Sequence, residues 1–159
     1  MKNNLKYLSY KEAWRRIKSA TDSEYYFEVV TLCESIIADR LLSYIQGTSR
    51  DTKVSRYTSF SRLICKWRKL AKSLPEHKGA DLGDAVDAWR KERNKIVHGL
   101  VKSDPGKGTD NIRDFLECAE NAARDGAKLA RDVSNWHKRQ LAGYRAQRLL
   151  GQTGNVARR

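Results

Sequence analysis

Apolar side chains recur every three or four positions through most of the chain, which is the spacing of one face of an α-helix. The clearest stretch covers residues 23–46, where a single stripe is formed by Phe27, Val30, Glu34, Ile37, Leu41 and Ile45. Ser23 is suited to begin this helix and Gly47 to end it. An acid within an apolar stripe is costly to bury alone, so Glu34 must meet a partner or lie at the edge of the core.

The same periodicity predicts further helices on both sides of this stretch. We place them at residues 10–19, 58–73, 82–98, and from Thr109 or Asp110 onward, with a bend at Gly126 and loops at 74–79 and 103–108. No stretch predicts a β-strand. Four to six helices within residues 1–150 predict a single all-α domain, an antiparallel helical bundle, and residues 151–159 predict a basic, flexible tail.

Charge narrows the choice of partner. The formal net charge is +13, from 32 basic and 19 acidic side chains, and this favours a polyanion, with nucleic acid the commonest. No apolar run approaches the ~20 residues that span a bilayer. The N-terminal residues lack the apolar core of a signal peptide, so we expect a cytoplasmic protein with no membrane partner.

Cysteine and histidine positions offer little metal chemistry. Cys33, Cys65 and Cys118 are far apart and fall within apolar helical patterns, so we expect them to be buried and predict neither a metal site nor a cofactor. His77 is expected in an exposed loop. His137 follows Trp136 on a basic helix, where we expect it to be solvated or to contact phosphate.

His98 differs because it stands at the end of a predicted helix, directly before Gly99. A histidine there can simply cap free carbonyls and complement the helix dipole, and this structural interpretation stays open. Asn94 lies on the same helix face, whereas Arg93, five residues away, points about 140° from His98. An imidazole that moves protons and a guanidinium that binds phosphate suit attack of an RNA 2′-hydroxyl on the adjacent phosphate.

The segment Arg93-Asn94-Lys95-Ile96-Val97-His98-Gly99 resembles the Arg-x4–6-His signature of HEPN domains, the helical ribonuclease family of bacterial toxins and antiviral defence proteins. Residues 25–37 are similar to the family's early core helix, which often carries an acid where Glu34 falls. The resemblance extends over roughly residues 23–135. Val97 departs from the members paired with nucleotidyltransferases, which often have Tyr before the His.

The resemblance implies a helical homodimer whose two motifs face each other, metal-independent RNA cleavage that leaves a cyclic phosphate, and an antitoxin or regulatory partner. Arg93 of one subunit would then serve the site of the other. The expected catalytic residues are Glu34, Arg93, Asn94 and His98, and the expected RNA-binding residues are Arg40, Lys91, Lys95 and Lys102.

Two interpretations without catalysis stay open. The chain is a nucleic-acid-binding or adaptor protein if its basic helices act by charge alone, and residues 124–159 carry 9 Lys or Arg against two acids. The alanine-rich face at residues 119–130 would instead suit an oligomerising partner of another protein.

Overall fold

The computed structural model describes residues 2–49, 54–99 and 111–153. Over these residues it contains five α-helices and one short hairpin: α1 (Lys2–Asp22), α2 (Tyr26–Thr48), α3 (Phe60–Leu70), β1 (Glu76–His77), β2 (Ala80–Asp81), α4 (Leu82–Gly99) and α5 (Ile112–Thr153). The predicted all-α helical bundle is confirmed. None of the helices in these three ranges combines the length and the apolar character needed to cross a membrane.

Helix α2 begins later than predicted, because Ser23 lies in the turn that directly follows α1. The Ser23 N–H donates to the Ser19 carbonyl at 3.1 Å, and Glu24 takes a left-handed backbone conformation with φ of 60°. The N-cap of α2 is therefore Tyr25, whose side chain makes no capping bond. At the other end α2 passes through Gly47 and stops at Thr48.

Helix α5 also begins at a different cap from the one predicted. The Asn111 side-chain oxygen accepts hydrogen bonds from the backbone N–H groups of Arg113 and Asp114, at 3.1 and 3.2 Å, which satisfies free donors of the first turn. The predicted caps and the predicted loop at 103–108 lie outside the described residues. The helix runs without interruption to Thr153, beyond the predicted tail boundary at 150.

Helix α2 lies at the centre and packs against all four other helices. Helix α1 crosses it in the opposite direction, so that Tyr10 bonds to Asp39. Helix α5 runs parallel to α2, because ring contacts join Phe27 to Phe115 at one end, with centroids 6.0 Å apart, and Tyr44 to Trp136 at the other, 4.6 Å apart.

Helix α3 is also parallel to α2. The chain runs back toward the beginning of α2 before α3 starts, so both helices point in the same direction. Val54 in this returning segment is buried, and its carbonyl accepts a hydrogen bond from Gln46. Helix α4 is antiparallel to both α3 and α5. Among consecutive helices, the predicted antiparallel packing therefore fails only for α2 and α3; α2 and α5, which are not consecutive, are parallel as well.

The short hairpin corrects the expectation of an exposed His77. Lys78 and Gly79 have φ of 50° and 82° and form its two-residue turn. The His77 Nδ1 atom lies 2.6 Å from a carboxylate oxygen of Asp132, and the Lys78 ammonium lies 2.6 Å from Asp125. Both contacts join the hairpin to α5, and they leave the His77 side chain largely buried.

Two of the three cysteine predictions are wrong. Cys33 is fully buried, and burial raises the pKa of its thiol to about 12. Cys65 and Cys118 are exposed. They neighbour buried positions in sequence, but one residue along a helix turns the side chain by about 100°, away from the core.

His137 is buried rather than solvated. It follows Ala130 and Val133 on the inward stripe of α5 and is only 2% exposed. Neither ring nitrogen has a hydrogen-bond partner among the described residues. Burial, and secondarily the positive charge of Arg40, lower the pKa of His137 to about 4.

This burial predicts a loss of stability in mild acid. The unfolded chain binds a proton at His137 near pH 6.5, whereas the folded chain resists protonation until about pH 4. The free energy of unfolding should therefore fall by about 3 kcal/mol as the pH drops through that interval. His137→Leu should flatten this part of the profile in urea unfolding measured at each pH. Parallel profiles for the two proteins would contradict the assignment.

Helices α4 and α5 approach closely because Gly126 has no side chain. A Cβ atom at this position would lie 2.6 Å from Cζ2 and 2.9 Å from Cε2 of Trp89. The Trp89 ring cannot move aside easily, since its Nε1–H donates to the carbonyl of Ala122 at 2.8 Å. Gly126 thus makes room for the Trp89 ring at a point where α5 continues without interruption.

Gly126→Ala should destabilise the protein although alanine is the better helix former. The overpacking costs about 1–3 kcal/mol, against about 1 kcal/mol gained in helix propensity. Gly143→Ala is the matched control, because a Cβ there meets nothing within 4 Å on the same helix, and it should stabilise slightly. Thermal unfolding of both variants checks the sign, and an equal gain at the two positions would refute the packing argument.

Candidate active site on helices α2 and α4

The buried stripes of α2 and α4 each contain one charged residue. Glu34 lies on the α2 stripe with Val30, Ile37 and Leu41, which are fully buried. Arg93 occupies the corresponding place on α4, where the buried members of its stripe are Val86, Trp89 and Ile96. Either charge alone would be costly at such a position.

The two charges meet across the helix interface. An Nη2 atom of Arg93 contacts Oε2 of Glu34, and the side chains are 21% and 17% exposed. Glu34 therefore has the partner that its position on an apolar stripe required. Burial lowers the pKa of Arg93, but a guanidinium remains protonated near neutral pH.

Asn94 completes this cluster. Its side-chain oxygen accepts a hydrogen bond of 2.6 Å from Nη1 of Arg93. The contact that the structure gives Asn94 is thus with Arg93, although its spacing also places it on the helix face of His98. The Nε atom of Arg93 is buried and has no partner within the described ranges.

His98 is the next-to-last residue of α4, and its side chain is exposed. Lys91, Lys95 and His98 are separated by four and three residues, so they form one exposed stripe along the helix. Lys95 lies 2.8 Å from Glu92 and Lys91 lies 3.2 Å from Asp87. These ion pairs are exposed and weak, so both lysines can exchange partners with an incoming phosphate.

The remaining predicted RNA contacts are not joined to this stripe. The Arg40 guanidinium lies over the Tyr10 ring, 3.8 Å from its centroid, and its Nε is buried. Its place is therefore between α1 and α2. Lys102 lies outside the described residues.

Apolar side chains surround the His98 end of α4. A Cβ atom on Gly99 would lie 3.0 Å from Cε2 of the Phe115 ring. The end of α4 therefore lies beside the beginning of α5. Val97, Ile112 and Leu116 are all exposed at this end of the bundle. Ile112 and Leu116 stand in the first two turns of α5, and neither side chain is buried by the rest of the bundle.

One cationic and aromatic region was not singled out from the sequence. Trp14 is half-buried beside α5, where the Arg131 guanidinium lies 5.5 Å from its ring centroid. The spacing of Trp14, Lys18 and Thr21 on one face of α1 was the available signal. Only packing reveals that this face borders basic residues of α5.

Comparison with known proteins adds no assignment. No protein-family model matches the chain, and neither a curated protein nor a solved structure matches it. The HEPN resemblance therefore stays a prediction from the motif. In the part of the chain that the structure describes, no group of three or more His, Cys, Asp or Glu side chains is arranged to hold a metal ion.

A double-mutant cycle should detect the contact between Glu34 and Arg93. Glu34→Gln or Arg93→Gln alone leaves a half-buried charge without its partner, and each should lower the free energy of unfolding by about 1–3 kcal/mol. The double variant should lose less than the sum of the two.

The matched control is the exposed pair Glu92 and Lys95, whose cycle should be additive to within about 0.5 kcal/mol. Urea unfolding gives all the values. Additive losses for Glu34 and Arg93 would contradict the contact.

Proposed function

We propose that this chain is a metal-independent endoribonuclease of the HEPN type, which cleaves RNA by attack of a 2′-hydroxyl on the adjacent phosphate. One observation carries the proposal. Glu34 and Asn94 hold the Arg93 guanidinium in place, and an exposed histidine, His98, ends the same helix on a stripe of lysines. Pre-oriented donors and a mobile proton acceptor are what this reaction requires.

The proposed step conserves every atom of the RNA. His98 accepts the proton of the 2′-hydroxyl, whose oxygen forms a bond to phosphorus while the bond from phosphorus to the 5′-oxygen breaks. The leaving 5′-oxygen takes a proton from solvent, to which His98 afterwards returns the proton that it accepted. Arg93 stabilises the extra negative charge of the phosphorane, and the products are a 2′,3′-cyclic phosphate and a 5′-hydroxyl.

A homodimer resolves the geometry. Arg93 lies at the α2–α4 interface with its side chain 21% exposed, and His98 points about 140° away from it around α4. The exposed apolar side chains of Val97, Ile112 and Leu116 favour a second copy at this end of the bundle. In the proposed dimer, Arg93 of each subunit acts with His98 of the other.

The biological setting belongs to the same proposal. The motif favours a toxin or antiviral-defence role in the cytoplasm, with an antitoxin or regulatory partner that restrains cleavage. An uncontrolled ribonuclease harms its own cell, which gives such a partner a physical purpose.

A non-catalytic RNA-binding or adaptor protein is the second candidate. The observation that favours it is the engagement of Arg93 by Glu34 and Asn94, with Nε buried. An arginine held in this way on a buried stripe is also what a purely structural ion pair requires. The basic surface would then bind RNA by charge alone, and the affinity would fall steeply with salt.

The decisive measurement is cleavage of RNA in the presence of EDTA. Wild-type protein should cleave, and His98→Ala should lower the rate by at least about a hundredfold, because a positioned acid–base group contributes that much or more. His77→Gln is the control histidine, since His77 is engaged by Asp132 on the far side of α4, and it should retain activity. Wild-type cleavage rates in His98→Ala, or binding without cleavage, would favour the second candidate.

The same assay tests the composite site when two inactive variants are mixed. Arg93→Lys keeps a charge opposite Glu34 but loses the guanidinium fork. Mixed with His98→Ala, it should restore about a quarter of wild-type activity, because half of randomly paired dimers carry one intact site of two. If Arg93 and His98 act within one subunit, mixing restores nothing.

A further inference from the structure

A cleft of about 550 Å³ separates α1 from α5, on a different part of the bundle from the His98 stripe. It exists because α1 packs chiefly on α2 while α5 presents small side chains, Ala123 and Ala127, toward α1. Trp14 and Tyr26 line it, and both are half-buried, so their rings are held in place and remain accessible.

The rim of this cleft is cationic. Lys18 comes from α1, and Arg124, Lys128 and Arg131 come from α5; the acids that also line it are Asp22 and Glu120. Arg124 is bonded to Glu120, whereas Lys18 and Lys128 are exposed. The three cations of α5 extend over about 10 Å of helix axis, which is long enough to lie beside more than one phosphate of a strand.

Arg131 shows that the aromatic wall can hold a flat, positively charged or π-rich group. Its guanidinium carbon lies 5.5 Å from the centroid of the Trp14 ring, within the range of a cation–π contact. A nucleobase can stack against the same ring while the guanidinium turns toward a phosphate. Aromatic walls beside cationic rims are the arrangement that holds single-stranded nucleic acid.

We propose that the α1–α5 cleft binds single-stranded RNA, with an unpaired base against Trp14 and Tyr26 and the backbone phosphates on Lys18, Lys128 and Arg131. The inference rests on the proposed function in taking RNA as the substrate, and it adds where the strand is held away from Arg93 and His98. A duplex fits poorly, because its bases are stacked on each other. A flat bilayer cannot reach rings that line a concave surface.

Charge in the cleft is tested by RNA binding in a His98→Ala background, which prevents cleavage during the measurement. The probe is a fluorescein-labelled single-stranded RNA of about twelve nucleotides, titrated at several salt concentrations. The triple variant Lys18→Gln, Lys128→Gln, Arg131→Gln should bind at least about tenfold more weakly and show a salt slope smaller by about 2.

The matched control removes the same number of charges elsewhere, with Arg62→Gln and Lys69→Gln on α3 and Lys72→Gln just after it. These three side chains are exposed, and none of them lines the cleft. The control should lose less than about threefold, because it changes only the overall field. Equal losses in the two triple variants would overturn the proposal, since binding would then depend on diffuse charge.

The aromatic wall is tested separately with Trp14→Leu and Tyr26→Leu, each checked by circular dichroism and thermal unfolding. Single-stranded RNA should bind about tenfold more weakly to at least one correctly folded variant, whereas inorganic polyphosphate, which has no bases, should bind unchanged. Equal losses for both probes, or wild-type affinity in both folded variants, would refute base stacking in the cleft.

These outcomes are separable from the ribonuclease proposal. If the wild-type protein binds RNA without cutting it, and the cleft triple variant selectively loses that binding, the cleft proposal is supported and the ribonuclease proposal is rejected. If the wild-type protein cuts RNA in EDTA and the cleft triple variant binds RNA as tightly as the protein without these three substitutions, the ribonuclease proposal is supported and the cleft proposal is rejected. Binding of phosphatidylserine vesicles that is lost in the cleft variant, with RNA binding intact, would assign the cleft to a membrane surface and overturn the proposal.

Discussion

The burial of α2 is the constraint on which the rest of the bundle depends. Val30, Cys33, Ile37 and Leu41 are completely removed from water, and every other helix packs against α2 to achieve this. The loss of water contact by such side chains is the main favourable term in folding. Because α5 runs parallel to α2 and antiparallel to α4, the end of α4 lies beside the beginning of α5, where Gly99 meets the Phe115 ring.

The same burial creates the candidate site. Glu34, the acid on the buried stripe of α2, faces the guanidinium of Arg93 on α4. Neither charge would be stable at such a position without the other. The ion pair fixes the position of Arg93, and Asn94 supports it, so the group proposed to bind phosphate is held by the core. His98 has no such restraint from the core, because it lies on the opposite side of α4 and at its end. In the proposed reaction, the rigid guanidinium would bind the phosphate and the accessible imidazole would accept the proton.

RNA needs a larger surface than this site. The lysine stripe of α4 and the α1–α5 cleft lie on different helices, and under the proposals above both would use the net charge of +13 to bind the RNA backbone. The lysines beside His98 are loosely paired with acids and can exchange partners. The cleft adds what a stripe of charges lacks, which is an aromatic wall that distinguishes an unpaired base from any other polyanion.

The sequence by itself determined the class of fold and the position of the candidate motif, because helical periodicity and an end signal such as Gly99 are local properties of the chain. It also required that Glu34 have a partner. Only the tertiary structure decided that this partner is Arg93, that His137 is buried while Cys65 and Cys118 are not, and that Trp14 faces the cations of α5. Those outcomes depend on which helices become neighbours and in which direction they run. Residues far apart in sequence settle that through packing, and no local pattern records it.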